Sequence, residues 1–285
     1  MTRSPFFRKA MDRLMIAIFC LCVLAVVFPL FSILIHLIRQ GFSSINLAFF
    51  MHLPKPVGEN GGGMANAIVG SLTLIGIAAC VGLPLGIGAG IYLSEFSNKG
   101  VASVIRFITD VMNGIPSIVF GLFAYEMLVV PMKSFSALAG GIALGVMMIP
   151  VVTRTTEEVL RMVPVSLREA ALALGVAEWR TTMSIVVKTA LGGVLTGVIV
   201  SLARVMGETA PLLFTALGNR FWQHSLLEPI AALPLQVFTY AISPFADWHR
   251  QAWAGALVLL GMVLVISITS RWVVHMTLVR KLNKG

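Results

Sequence analysis

This 285-residue chain has 21 basic and 12 acidic side chains, and only four of them fall within long apolar stretches: Asp110, Glu126, Arg204 and Glu208. Placing such a group in a bilayer costs at least about 2.5–3.5 kcal/mol for Arg or Asp at a helix centre, so it faces a cavity or a partner. Arg204 and Glu208 stand four residues apart in ARVMGETAPLLFT, a spacing that predicts one face of a single helix in the middle-to-outer part of a membrane. Arg204 brings a planar fork of donors that matches an oxyanion, keeps its charge at any working pH and is less hydrated than lysine. Glu208 can neutralise it when a path is empty, or accept a hydrogen bond from a protonated oxyanion when it is full. The same spacing also suits a static intrahelical ion pair that merely lets the helix cross. Asp110 lies one turn from Arg106, which favours a surface pair between them. Glu126, beside Tyr125, suits either an outer vestibule or an interfacial position, and Asn113 is a further path-lining candidate.

The second informative segment is polar. In residues 166–188, SLREAALALGVAEWRTTMSIVVK, Pro164 stops the preceding helix and Ser166 is placed to cap the next one. Glu169 sits three residues on, as a capping box requires, and Gly175 suits a left-handed stop. A short helix, a turn and another helix are expected. Nucleotide chemistry is not encoded here: no Gly-Lys dipeptide occurs, so there is no P-loop, and neither H-E-x-x-H nor G-x-S-x-G is present. Any ATP driving this chain is expected to be hydrolysed on another one.

The elements that must position these residues follow from composition. The chain is 58% hydrophobic and 12% charged, with a mean hydropathy of +0.92, whereas ordinary soluble domains are about 25% charged. Apolar stretches at 14–38, 65–94, 107–132, 134–153, 189–214 and 251–270 are each long enough to cross a core that needs about 20 helical residues. Internal satisfaction of backbone polar groups makes them helices, so an all-α polytopic membrane protein with six transmembrane helices is expected. Segments 1–13, 95–106, 154–188 and 271–285 hold 15 basic residues against five in the alternating segments. Both termini and the Glu169 loop are therefore expected in the cytoplasm. The net charge of +9 reflects that orientation rather than nucleic-acid binding. The first stretch, after Arg3, Arg8, Lys9 and Arg13, reads as an uncleaved anchor.

Small residues recur at four-residue spacing, as Gly82-Gly86-Gly90, Gly141-Gly145 and Gly193-Gly197, and predict close helix packing. Pro84 and Pro116 are expected to kink the second and third spans. The run 58–63 reads as a flexible linker. Segment 215–250 predicts one or two short helices lying on or dipping into the outer membrane face, with its tryptophans as interfacial anchors. Cys20, Cys22 and Cys80 lie inside spans, and the five histidines show no metal-ligand spacing.

The spacing Glu169-Ala170-Ala171, Gly175 and Ile185 resembles the EAA loop of ATP-binding-cassette (ABC) importer permeases. Further stretches narrow the likeness: NGIPSIVFGLF at 113–123, REAALALG at 168–175, ARVMGETAPLLFTALGNRFW at 203–222 and AISPFADW at 241–248 together resemble the phosphate-specific permeases of the PstA type. The resemblance implies a type I importer, MetI-like fold, with residues 65–285 as the permease domain, a coupling loop at 154–188, and residues 1–64 as an added tail, first helix and outer loop. It implies an inner-membrane subunit of a bacterial phosphate importer, paired with a homologous second permease, two copies of a cytoplasmic ATPase that binds ATP and Mg, and a periplasmic phosphate-binding protein. This chain itself would bind no cofactor. Glu169, Ala170, Ala171 and Gly175 match the family's ATPase-docking loop, and Arg204 and Glu208 its charged pair. Val187-Lys188 replaces the Leu-Pro common after the loop's isoleucine, so entry into the next helix without a proline bend is expected. Permeases for molybdate or sulfate remain an alternative, as does, from another class, an ion-coupled secondary transporter.

Overall fold

The computed structural model describes residues 5–56, 59, 61–96 and 99–282; Arg3, Gly58, Asn60 and Lys284 lie outside them. The described chain is helical, with one isolated bridge between Leu217 and Ile230. In order, the helices are α1 (Pro5–Phe42), α2 (Leu47–Met51), α3 (Ala65–Ile91), α4 (Lys99–Gly114), α5 (Ser117–Ala124), α6 (Val130–Met132), α7 (Ala137–Arg161), α8 (Val165–Ala173), α9 (Glu178–Thr181), α10 (Val187–Met206), α11 (Ala210–Thr215), α12 (Leu233–Ala241) and α13 (Ala246–Leu282). Three π-helical turns, Tyr92–Phe96, Tyr125–Val129 and Thr182–Val186, extend α3, link α5 to α6 and lead into α10. Five helices are long and apolar enough to cross a membrane, and a bent pair makes a sixth if it counts as one span.

That pair corrects the expectation for the third span. Instead of one kinked helix over 107–132, α4 and the α5–α6 rod meet at 104°. Proline biases the residue before it away from helix, and Pro116 itself is extended (φ −58°, ψ 140°), serving as the N-cap of α5 rather than lying inside a helix. By contrast, α3 continues unbroken through Pro84. The fifth span also differs from its expected range: α10 stops at Met206, and α11 begins only after Gly207–Thr209. The polar loop expected at 154–188 is mostly helical, because α7 runs on to Arg161 and helix resumes at Glu178.

α7 is the centre of the bundle, with α3, α4, α5, α10 and α11 packed around it. The glycine ladders make this possible. A Cβ on Gly82 would lie 2.7 Å from the Gly145 carbonyl oxygen, one on Gly86 2.7 Å from Val152 Cβ, and one on Gly193 2.5 Å from Val159 Cγ1. Where backbones touch, Leu74, Ala78, Leu144, Met148, Val152, Val198 and Val205 close the core between α3, α7 and α10. The start of α7 is capped from a distance. Buried Ser136 accepts from the Ala139 amide at 3.1 Å, while the amides of Ser136, Ala137 and Leu138 donate to the carbonyls of Thr215, Glu228 and Leu226 at 2.9–3.0 Å. These bonds satisfy donors that a helix N-terminus otherwise leaves open.

Segment 215–250 holds the short helix α12. α12 is not laid on a surface: Leu233, Leu235 and Tyr240 are buried, and the helix packs against α3 and α13. Trp248 stacks on Tyr240 with centroids 4.4 Å apart, and Trp253 meets His36 of α1 edge-on at 5.0 Å. Phe221 and Trp222 are exposed. Among the described residues, α1 is bare along its span and packs against α13, where Gly41 lies against Trp253 and Leu257.

Candidate coupling surface and translocation face

α8 follows the C-terminal end of α7 and packs against α9 and the Thr182–Val186 turn. Its start differs from the expected capping box: helix begins at Val165, Pro164 occupies the N-cap position (φ −54°, ψ 135°), and no side chain caps it. Proline's fixed φ fits the entry, which moves Ser166 into the first turn. Its end is as expected. Gly175 has φ +76°, the Val176 amide donates to the Ala171 carbonyl at 3.1 Å, and the Gly175 amide donates to Leu172 at 2.9 Å. This pair of bonds is a Schellman stop, which needs a left-handed residue where Gly175 stands.

Of the four candidate coupling residues, Ala171 is buried against the bundle, while Glu169, Ala170 and Gly175 face outward. Around them the surface is unusually apolar for a loop region: Met162, Val165, Leu167, Leu172 and Trp179 are exposed, and Leu174 is 84% exposed. Contiguous exposed apolar area of this kind marks an interaction surface. Beside it, a cavity of about 190 Å³ opens between α8, α9 and the π turn after α3, lined by Glu95, Arg168, Leu172, Glu178 and Thr181.

The side of the surface that faces the bundle holds residues the sequence reading did not single out. The Arg168 guanidinium grips the Glu95 carboxylate with two bonds (Nε to Oε2 3.1 Å, Nη2 to Oε1 2.8 Å) and donates to the carbonyls of Leu160 (2.9 Å) and Val163 (2.7 Å). Arg106 does not pair with Asp110, which is exposed. It reaches instead to Glu157 on α7, Nε to Oε1 at 2.6 Å, and to the Leu93 carbonyl at 3.1 Å. Glu157 is 1% exposed and also faces Arg161 at 2.8 Å and Arg154 at 3.6 Å. Glu157 keeps two arginines when one is removed, whereas removing Glu157 would leave the cluster without its shared carboxylate. No sequence spacing signals these pairs, since Arg168 and Glu95 lie 73 residues apart and Arg106 and Glu157 lie 51 apart.

The candidate path residues are arranged differently from the helical pair expected. Arg204 sits in the last turn of α10, Gly207 ends that helix, and Glu208 follows it, half-buried. No ion pair joins them among the described residues. Val205 and Met206 turn into the core, whereas Arg204 lies on an exposed stripe with Thr189, Thr196 and Val200. Glu126 is exposed in the Tyr125–Val129 turn, and Asn113 is exposed in the last turn of α4. The structure therefore leaves Arg204, Glu126 and Asn113 on separate elements, each open to the exterior of this single chain. No group of three or more candidate metal ligands occurs among the described residues.

Residues 82–279 match the model of a family described as the binding-protein-dependent transport system inner membrane component. The chain is 46% identical over 270 residues to the phosphate transport system permease protein PstA of Yersinia pestis, covering 94% of this chain and 92% of that one. The chain belongs to the PstA family of permeases. Another PstA protein, from Haemophilus influenzae, is 41% identical over 267 residues, covering 93% and 94% of the two chains. The archaeal relative described as a probable PstA, from Methanocaldococcus jannaschii, is 37% identical over 93% of this chain and 94% of its own. Among solved structures, a bacterial ABC transporter involved in import of the polysaccharide alginate aligns with a TM-score of 0.65 at 13% identity, over 95% of this chain and 98% of that one. The MetNI methionine ABC transporter aligns at 0.63 and 18% identity, over 75% and 96%. These likenesses show the MetI-like ABC permease fold, and with it a multi-pass membrane protein. The match to the PstA family runs through both the α8 surface and the α10–α11 turn.

Proposed function

We propose that this chain carries inorganic phosphate inward across a bacterial inner membrane, as one permease subunit of an ABC importer whose ATP is hydrolysed on a partner. The observation that carries this reading is the 46% identity over 94% of the chain to a phosphate permease. The exposed apolar surface around α8, ended by a Schellman stop at Gly175, supports the seat of that ATPase, with Glu169, Ala170, Ala171 and Gly175 as its coupling residues. ATP and Mg belong to two copies of this partner, and the permease chain needs no cofactor of its own. The bare face of α1 and the exposed stripe of α10 suit a homologous second permease and a path between the two subunits.

In this arrangement Arg204 supplies fixed positive charge to a passing phosphate, and Glu208 follows it on the turn that leads to α11. Glu126 and Asn113 are further candidates for the path wall. The far end, where Phe221 and Trp222 are exposed, faces a periplasmic phosphate-binding protein, and both termini and α8 lie in the cytoplasm.

Radiolabelled phosphate uptake in cells lacking their own high-affinity system tests the reading. Uptake is expected to need this chain, its permease partner and the ATPase together. Saturable uptake that persists without the ATPase would replace the pump with a secondary carrier, and uptake of molybdate or sulfate in preference to phosphate would change the cargo.

A further inference from the structure

α8 is tied to the rest of the chain by short irregular links, Met162–Pro164 before it and Leu174–Ala177 after it. With those links alone, a push on α8 would be absorbed as a swing of the short helix. Two guanidinium groups remove that freedom. Arg168 binds α8 to the π turn after α3 through Glu95, whose side chain is 8% exposed, to the end of α7 through the Leu160 carbonyl, and to the link between α7 and α8 through the Val163 carbonyl. Arg106 then binds α4 to that same π turn through the Leu93 carbonyl, and to α7 through Glu157. A planar fork can reach a carboxylate and backbone carbonyls at once, which the point charge of a lysine cannot reproduce.

We propose that Arg168 and Arg106, with Glu95 and Glu157, form a latch that makes α8 and the adjoining ends of α3, α4 and α7 move as one body. Displacement of α8 is thereby delivered to α3 and α7, whose glycine ladders lock them to each other and to α10. The four are positioning residues for the coupling step, and none of them touches the cargo. The latch rests on the phosphate-pump reading above.

The test uses the complete transporter in liposomes with its binding protein, reading phosphate moved per ATP hydrolysed at equal amounts of assembled complex. Glu95→Gln preserves shape while removing charge, and Arg168→Gln removes the fork. Each is expected to retain ATP hydrolysis but lower phosphate moved per ATP about tenfold, within the range of measured coupling between sites. The double variant is expected to fall no further than the worse single, because both break the same link. A latch that only helped folding would lower the yield of complex and leave the ratio unchanged. An unchanged ratio in Glu95→Gln, or losses that multiply in the double variant, would overturn the latch while the pump reading stands. A wild-type complex that hydrolyses ATP yet moves no phosphate would overturn both.

Discussion

Under the proposed function, Gly175 and Arg204 are the two residues whose substitution tests it most directly. A β-branched side chain at Gly175 meets no steric neighbour, since the space around it is open, but its φ of +76° lies in the left-handed region. Gly175→Val is therefore expected to cost about 1–2 kcal/mol locally, unwinding the end of α8 and lowering ATPase association in pull-down, with membrane insertion unchanged. Normal association would separate docking from this turn. Arg204→Gln removes a charge without altering the helix it ends. Phosphate uptake is expected to fall roughly 10- to 150-fold, the equivalent of losing a charged hydrogen bond of about 1.5–3 kcal/mol, in complexes that still assemble; unaltered uptake would reduce Arg204 to a structural role. Each is a candidate because it carries a local signature in the sequence: a glycine after a helix, and a charge in an apolar run. Helical spacing pairs Arg106 with Asp110 and Arg204 with Glu208, and neither pair forms. The first lost to a buried carboxylate far along the chain, and the second to a helix that stops between its two members.

Among elements, the contact of α3 with α7 is set by absence of side chains, and substitutions there should divide sharply. Gly86→Leu forces atoms into the space held by Val152 and is expected to destabilise the bundle by about 1–3 kcal/mol or more, seen as a lower Tm in detergent. Gly76, on the same helix but facing open space, is the control: Gly76→Ala is expected to be neutral or slightly stabilising, by about 0.4–1 kcal/mol. Equal gains at both positions would mean that helix propensity, not packing, decides. These ladders, and the helices that bear them, were legible from small-residue spacing and hydropathy. The break at Pro116 was legible as a proline and illegible as an angle, since kinking and complete separation begin from the same residue. Hydropathy averaged over the span does not separate α11 from α10, since apolar residues lie on both sides of Gly207–Thr209; the break falls at the C-cap Gly207, with Pro211 in the first turn of α11. α12 was expected at an interface because its residues are apolar and its neighbours aromatic, a composition that a buried helix shares.

For the whole molecule, the distribution of basic residues predicts which side each loop faces, and two exposed positions can check it. In a variant free of native cysteines, Leu174→Cys is expected to react with a membrane-impermeant maleimide only in inverted vesicles, and Trp222→Cys only in intact spheroplasts. The reverse pattern would turn the molecule over and place α8 outside the cytoplasm, against its proposed role as the ATPase seat. One feature of the bundle also governs the order in which it can be made. The central helix, α7, begins with amides at 136–138 whose acceptors are the carbonyls of residues 215, 226 and 228, supplied by chain that is synthesised only after α8, α9 and α10. During biogenesis α7 thus enters the membrane with its first turn unsatisfied. The fourth span is consequently the element most dependent on the insertion machinery to shelter it, and ribosomes stalled before residue 228 should hold a nascent permease whose centre has not yet set.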